Sequence, residues 1–462
     1  MQTATKLPVY IKAGWAIGEL GIATYVGITM IYLLFFMTQA LDVSPFLAGI
    51  ALLIPRLWDV ITDPIMGAIS DRTNTRIGRR RPYLLAGALL FGGSFYLIFA
   101  VPSFDSEIGR VAYVTVMYLI ASSAYTIYDV PYSSMAAEMT GDYGERTNLT
   151  GYKMMAARLG IVIAVTAGPF IFTSQETLAE GFRLMGLILG VYMVVTGLVA
   201  FFTTAAAPRQ TTELHALNLR EELQAVLQNR PFRVLWLVFL FQNLAIGASA
   251  TTLIYLVTFV LQADVKVIGP LIAIGSIVGL LVTPVWVYVA RRIGKRGSYF
   301  VGMGITAGMT LPALVIPPEL YFVMFAVLLV AGIGDAATQL CPNSMIPDTV
   351  EVDELRTGKR REGAIFGAWA FCRKLGMAAG AFLVSVGLSL FGFESGEAAA
   401  QDQTSTALLG IRITYALLPL SLWVAAILTL RRYDLSESRF NAVKAEIARH
   451  DATPAAVAAK SS

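Results

Sequence analysis

The sequence predicts an all-α membrane protein in which twelve transmembrane helices form two six-helix bundles. Three observations predict it. Hydrophobic residues make up 56% of the chain and charged residues only 14%, with a mean hydropathy of +0.65, whereas soluble domains carry about 25% charge. Apolar stretches near or above the roughly 20 residues that cross a bilayer recur along the whole length. A short basic element returns at the same place in each half, RIGRR at Arg76 to Arg80 and RIGKR at Arg292 to Arg296.

By hydropathy the spans run 9–39, 46–70, 82–102, 109–138, 149–173 and 182–206, then 231–260, 267–290, 297–315, 320–347, 362–392 and 405–430. Residues 1–206 are thus expected to form one bundle and 231–431 the other. Between them, 207–230 is polar (Pro208, Arg209, Glu213, Arg220, Glu221, Glu222) and reads as an amphipathic surface helix. The tail, 432–462, mixes charge and alanine. The N-terminus runs straight into a long span and does not read as a cleavable signal. Gly14/Gly18 and Gly376/Gly380 have the spacing that lets helices pack closely.

Basic residues fix the expected orientation. Arg72 to Arg81, Arg146, Arg220, Arg291 to Arg296 and Arg356 to Arg361 lie in alternate loops. The opposite loops hold Asp105, Glu107, Glu176, Glu394, Glu397 and Asp402, with Arg110 and Lys266 as their clear basic residues. By the positive-inside rule the linker, the tail and both termini are cytoplasmic, in a multi-pass protein of the cell membrane. Basic residues in these loops can also bind the C-terminal ends of flanking helices.

The composition argues against other classes. The net charge of +4 is small and clustered, which fits topology better than a nucleic-acid surface. Cys341 and Cys372 fall in or near apolar segments, so neither a disulfide framework nor a cysteine metal site is expected. His215 and His450 lie in polar segments and carry no chemistry. No nucleophile with a plausible base and no phosphate loop is found, so no catalytic residue, cofactor or enzyme is expected. A sensor or scaffold would show a large soluble appendix or a signalling motif.

Charged residues inside the spans carry the functional reading. Asp59 and Asp63 sit four residues apart in an apolar helix, on one face. Stacked carboxylates repel unless a cation or proton lies between them, so the pair suggests a coupling-ion site with oxygen ligands. Pairing with Arg56 is the plain alternative, and Thr62 points elsewhere. In span four, Tyr125 and Asp129 share a face that suits a sugar, the carboxylate accepting from hydroxyls and the ring covering an apolar surface. Thr126 offers a hydroxyl to a cation; Pro131 offers the alternative that Asp129 caps freed backbone groups. Lys374 in span eleven needs a counter-charge, which the first half supplies, while adjacent Arg373 faces a different direction. Weaker signals are Glu19, Lys153, Arg158 and Asp335, and the aromatics Trp15, Tyr128, Tyr132 and Trp369, which more often pack than bind.

Three segments carry a resemblance: RLWDVITDPIMGAISDRTNTRIGRRRP, YTIYDVPYSSMAAEMTGDYGERTNLTGYKM and PDTVEVDELRTGKRREGAIFGAWAFCRKLG. Together with the span frame they resemble the melibiose permease-like glycoside–pentoside–hexuronide:cation symporters of the major facilitator superfamily. The resemblance implies alternating access by two bundles around a central cavity. It implies that Asp59, Asp63 and Thr126 bind Na⁺ or H⁺, that Asp129 binds sugar hydroxyls, and that Lys374 lies close to the cation. Lys153 falls near the family's span-five arginine, and Ser133 stands where a tryptophan lies beside the sugar. The span-one acid has Glu19 as its nearest counterpart. These departures leave the sugar open, and an amphiphile such as a lysophospholipid is the alternative cargo. One chain suffices for transport in this architecture.

Overall fold

Helix caps and helix-ending turns divide the apolar sequence into membrane-crossing rods. In the computed structural model, residues 7–140, 142–208, 228–357, 361–398, 403–435, 439, 440, 442 and 446 are described. The expected linker helix with His215, and most of the tail with His450, lie outside the described residues. The long helices are α1 (Val9–Ile31), α2 (Pro45–Arg72), α3 (Arg81–Phe99), α4 (Glu107–Met139), α5 (Tyr143–Phe172) and α6 (Leu178–Thr203), then α7 (Arg230–Tyr255), α8 (Ile268–Gly308), α9 (Val323–Thr357), α10 (Glu362–Leu390) and α11 (Ser405–Leu430). Side-chain caps start several of them: Ser106 for α4, Asp142 for α5, Thr177 for α6, Asn229 for α7 and Thr404 for α11.

Eleven helical runs, rather than twelve, are long and apolar enough to cross a membrane among the described residues. The difference lies at 265–314, a single run of 50 residues, about 75 Å at 1.5 Å per residue and so more than twice the roughly 30 Å of a bilayer core. Gly294 breaks it, at φ 78° and ψ 159°. The two arms of α8 are therefore spans eight and nine, and α9, α10 and α11 are spans ten to twelve. Gly78, the matching residue of RIGRR, also has positive φ, at 104°. Glycine is the residue that reaches this region without strain.

The repeat extends beyond that motif. α1 and α7 both end in a π-helical turn, Phe36–Ala40 and Leu256–Val260. Each is followed by a left-handed residue, Asp42 (φ 51°) or Gln262 (φ 49°). The same hydrogen bonds close both turns: Leu41 N to Phe36 O and Leu261 N to Leu256 O, then Val43 N to Met37 O and Ala263 N to Val257 O. At the basic loops, Arg81 donates to Phe201 O and Arg296 to Arg431 O, each at the C-terminal end of its half's last helix. Arg79 and Arg80 pair with Glu138 of α4, as Lys295 pairs with Asp348 of α9. Close packing at the small residues follows expectation: a Cβ on Gly14 would strike Thr203 of α6, and one on Gly380 would strike the Leu244 carbonyl of α7.

The two bundles touch at the neutral-loop end. Thr38 Oγ1 and Tyr255 Oη share a 2.8 Å hydrogen bond, Gly396 N donates to Thr38 O at 2.8 Å, and Ser395 Oγ to Val43 O at 2.7 Å. There α2 meets α10, with Gly49 against Ser385, and α5 meets α8, with Gly269 against Thr166. Toward the basic-loop end α2 and α10 diverge. Ile61, Ile65 and Ile69 of α2 are about half exposed, and Gly363 and Gly367 of α10 face open space. The cleft between the bundles opens on the basic-loop side.

Candidate functional site

Two charged clusters face the cleft. The first joins α2, α4 and α10. Asp59 is only 1% exposed. It accepts a hydrogen bond from Ser122 Oγ on one oxygen, and Arg56 Nη1 lies 3.4 Å from the other. Asp63 accepts from Thr126 Oγ1 at 2.8 Å and from Lys374 Nζ at 2.5 Å. Lys374 also stands 4.0 Å from Asp59. The carboxylates at i and i+4 of α2 thus meet hydroxyls at i and i+4 of α4, rung by rung. Lys374, from the second half, bridges both acids and lies over the Tyr125 ring at 5.2 Å. Arg56 is held between the Tyr25 and Tyr118 rings, at 5.8 and 5.5 Å. Thr62 does turn away, bonding Trp58 O at 3.3 Å.

The second cluster joins α1, α4 and α5. Lys153 Nζ donates to Ser133 Oγ at 2.8 Å, and Ser133 Oγ donates to Asp129 Oδ1 at 3.2 Å. Lys153 is also 3.5 Å from Glu19, whose Oε2 is buried without a hydrogen-bond partner. Asp129 therefore bonds a side chain and not a carbonyl-side gap left by Pro131. The long lysine reaches Glu19 directly and Asp129 through the Ser133 hydroxyl, because Glu19, Ser133 and Lys153 sit on adjoining helices. An acceptor, a donor and a hydroxyl held together in this way can bind a polyhydroxylated molecule.

Two of the candidate contacts, Trp369 and Tyr125, fall elsewhere, and two aromatics pack as expected. Trp369 does not line the cleft: it is 6% exposed and stacks on Phe239 of α7 at 3.7 Å, within the core of the second bundle. Tyr125 is buried between Tyr25 and Lys374, so its ring packs within the first cluster instead of covering a ligand. Trp15 and Tyr132 stack at 5.0 Å and exchange backbone hydrogen bonds, which is packing. Across the cleft, Arg158 of α5 donates to Ser276 O of α8 at 3.5 Å and lies within electrostatic reach of Asp335 of α9. Arg373, a helix neighbour of Lys374 with a different direction, also borders the cleft. It is exposed and within electrostatic reach of Glu19 and Tyr125 on the opposite bundle.

Sequence reasoning missed Ser122. The available signal was its spacing: Ser122 and Thr126 repeat on α4 the four-residue interval of Asp59 and Asp63 on α2.

Two six-helix bundles enclosing a charged central cleft define a transporter of the major facilitator superfamily. The chain belongs to the family described as MFS/sugar transport protein, whose profile matches residues 14–437, within the glycoside–pentoside–hexuronide:cation symporter branch. It is a membrane transporter and not an enzyme. It is 30% identical to the uncharacterised symporter YnaJ of Bacillus subtilis, over 97% of both chains. It is 29% identical to the glucuronide carrier protein homolog of Escherichia coli, over 94% of both. It is 26% identical to a putative sulfoquinovose importer of Salmonella typhimurium, over 97% of this chain and 94% of that one. Among solved structures, a bacterial homolog of the human lysosomal transporter Spinster, in an inward-facing unoccupied conformation, superposes with a TM-score of 0.67 at 14% identity. That match covers 95% of this chain and 97% of the other, and it concerns the fold alone.

Proposed function

We propose that the protein is a symporter that couples entry of a glycoside or related sugar to Na⁺ or H⁺, by alternating access. The observation that carries this reading is the Lys374 bridge. A cation from the second bundle occupies the paired acids of the first, where a coupling ion would sit. An arriving Na⁺ or proton displaces that ammonium and offsets one of the two carboxylate charges, Arg56 beside Asp59 offsetting the other, which frees the bundles to move relative to one another. The Ser122 and Thr126 hydroxyls now donate to the acids; each can instead turn its hydrogen to a backbone carbonyl and offer a lone pair to a metal ion. The second cluster then binds the sugar: Asp129 and Glu19 accept from hydroxyls while Lys153 and Ser133 donate. Trp369 and Tyr125 have no part in this binding surface. The names of relatives, a glucuronide carrier homolog, a sulfoquinovose importer and an isoprimeverose transporter, favour a sugar over an amphiphile.

We place the basic loops and both termini in the cytoplasm, with the bundles at 1–206 and 231–431 and the cleft open inward. The test is reciprocal binding. In detergent, saturating Na⁺ or a shift in pH is expected to tighten binding of the transported sugar severalfold, and that sugar to tighten Na⁺ binding by the same factor. Sugar affinity indifferent to both ions would sink the coupling. Ser122→Ala is expected to weaken Na⁺ binding by about tenfold, the worth of one good ligand or charge-assisted hydrogen bond, with sugar binding at saturating Na⁺ unchanged. Titration calorimetry measures both.

A further inference from the structure

The cleft holds five cationic side chains, and four have an acidic partner across or beside them. Arg56 lies 3.4 Å from Asp59, Lys374 2.5 Å from Asp63 and Lys153 3.5 Å from Glu19. Arg158 lies within electrostatic reach of Asp335. Arg373 is the fifth, and among the described residues no ion pair or hydrogen bond involves it. It is the twelfth of the 29 residues of α10, beside Lys374, so it stands at the depth of the ion cluster and far from either membrane surface. An unpaired guanidinium at mid-membrane is costly unless it faces water or a ligand. Arg373 does face the cleft: it is exposed, on the stripe of α10 that also exposes Phe366 and Ala370.

We propose that Arg373 is a specificity-determining residue that binds an anionic substituent, a carboxylate or sulfonate, on the transported sugar. Two arguments support it beyond the missing partner. Glu19, on the facing bundle, lies within electrostatic reach of Arg373, and Lys153 already engages it. Asp129, the other acid of that cluster, accepts from Ser133. The cleft therefore offers, on the first bundle, two carboxylates for hydroxyls, each already held by a neighbour, and one free guanidinium on the second. A neutral sugar satisfies the first group only. A sugar with an acidic group satisfies both and draws the bundles together across the cleft. The planar guanidinium fork matches carboxylate and sulfonate oxygens two at a time, which a lysine cannot do.

This inference rests on the sugar reading above, and the test separates the two. Wild-type protein in proteoliposomes is given labelled methyl glycosides in matched sets, glucosides and galactosides of both anomers. Members of a set differ only at C6, which bears hydroxymethyl, carboxylate or sulfonomethyl. The acidic members are expected to enter at least about tenfold faster than the neutral one, the factor set by a charge-assisted bidentate contact. Arg373→Gln is expected to collapse that ratio toward one, and Arg373→Lys to restore part of it. Entry of neutral members with exclusion of acidic ones would overturn the assignment and leave the sugar reading intact. An equal loss for both members in Arg373→Gln would also overturn it, since Arg373 would then act as a counter-ion to the cleft acids. If no member of any set entered, the sugar reading would fall and this inference with it.

Discussion

Asp59→Asn and Asp63→Asn are each expected to abolish uphill, cation-driven accumulation, but with different costs to the protein. Both acids have a hydroxyl partner on α4 and share Lys374, so either amide removes one negative charge from a site built around two. An amide oxygen still reaches the ion but carries no charge. The apparent cation affinity should fall on the order of 100-fold, about 3 kcal/mol. The two differ in what they strand. Asp63→Asn leaves Lys374 with Asp59 still 4.0 Å away. Asp59→Asn leaves Arg56 enclosed by Tyr25 and Tyr118 without its carboxylate, a buried unpaired cation whose cost is several kcal/mol. Asp59→Asn should therefore also lower the melting temperature, and Asp63→Asn should change it little. Uptake assays and thermal unfolding of the two purified variants distinguish these outcomes. Equal melting temperatures would show that Arg56 does not depend on Asp59.

The second large effect is expected at Gly49, where α2 closes on α10. A Cβ there would stand 1.8 Å from Ser385 Oγ and 2.6 Å from Ser385 Cβ. The Cβ cannot rotate away, so Gly49→Val must move a helix rather than a side chain. The closed neutral-loop end is held by few polar bonds: Thr38 with Tyr255, Gly396 with Thr38, and Ser395 with Val43. Wedging α2 from α10 should break them and hold the bundles apart at that end. Transport should fall below a tenth of wild type, roughly, because alternation requires each end to close in turn. Spin labels at Asp105 and Glu394, exposed in loops of the two halves, should move apart in the variant. An unchanged distance distribution with full transport would show that this contact does not form the closed end.

The frame of the fold was legible because twelve apolar spans and the RIGRR/RIGKR pair are local signals. The continuous run through Gly294 was not, since hydropathy falls at a basic turn whether or not the helix resumes without a gap. Asp59, Asp63, Thr126 and Lys374 were legible as polar groups in apolar surroundings. So were Glu19, Asp129 and Lys153, while Ser133 was reached only through the family resemblance; that Ser133 joins Lys153 to Asp129 comes from the fold. Ser122 was hidden because serine is common in packed membrane helices, and its meaning comes from a facing helix. Arg373 does face a different direction from Lys374, as neighbours about 100° apart on a helix must; that this direction also borders the cleft depends on the facing bundle. Trp369 could not be assigned, because a tryptophan in an apolar span fits a core stack on Phe239 as readily as a cavity wall.

The central claim is that Asp59 and Asp63 convert an ion gradient into sugar accumulation. The most direct test is uptake of labelled sugars into proteoliposomes under an imposed Na⁺ or pH gradient, for wild type and Asp59→Asn side by side. Accumulation above the external concentration in wild type, driven by one of the gradients and lost in the variant, is the predicted result. Accumulation that proceeds equally in both, or sugar that only equilibrates in wild type under either gradient, would contradict it.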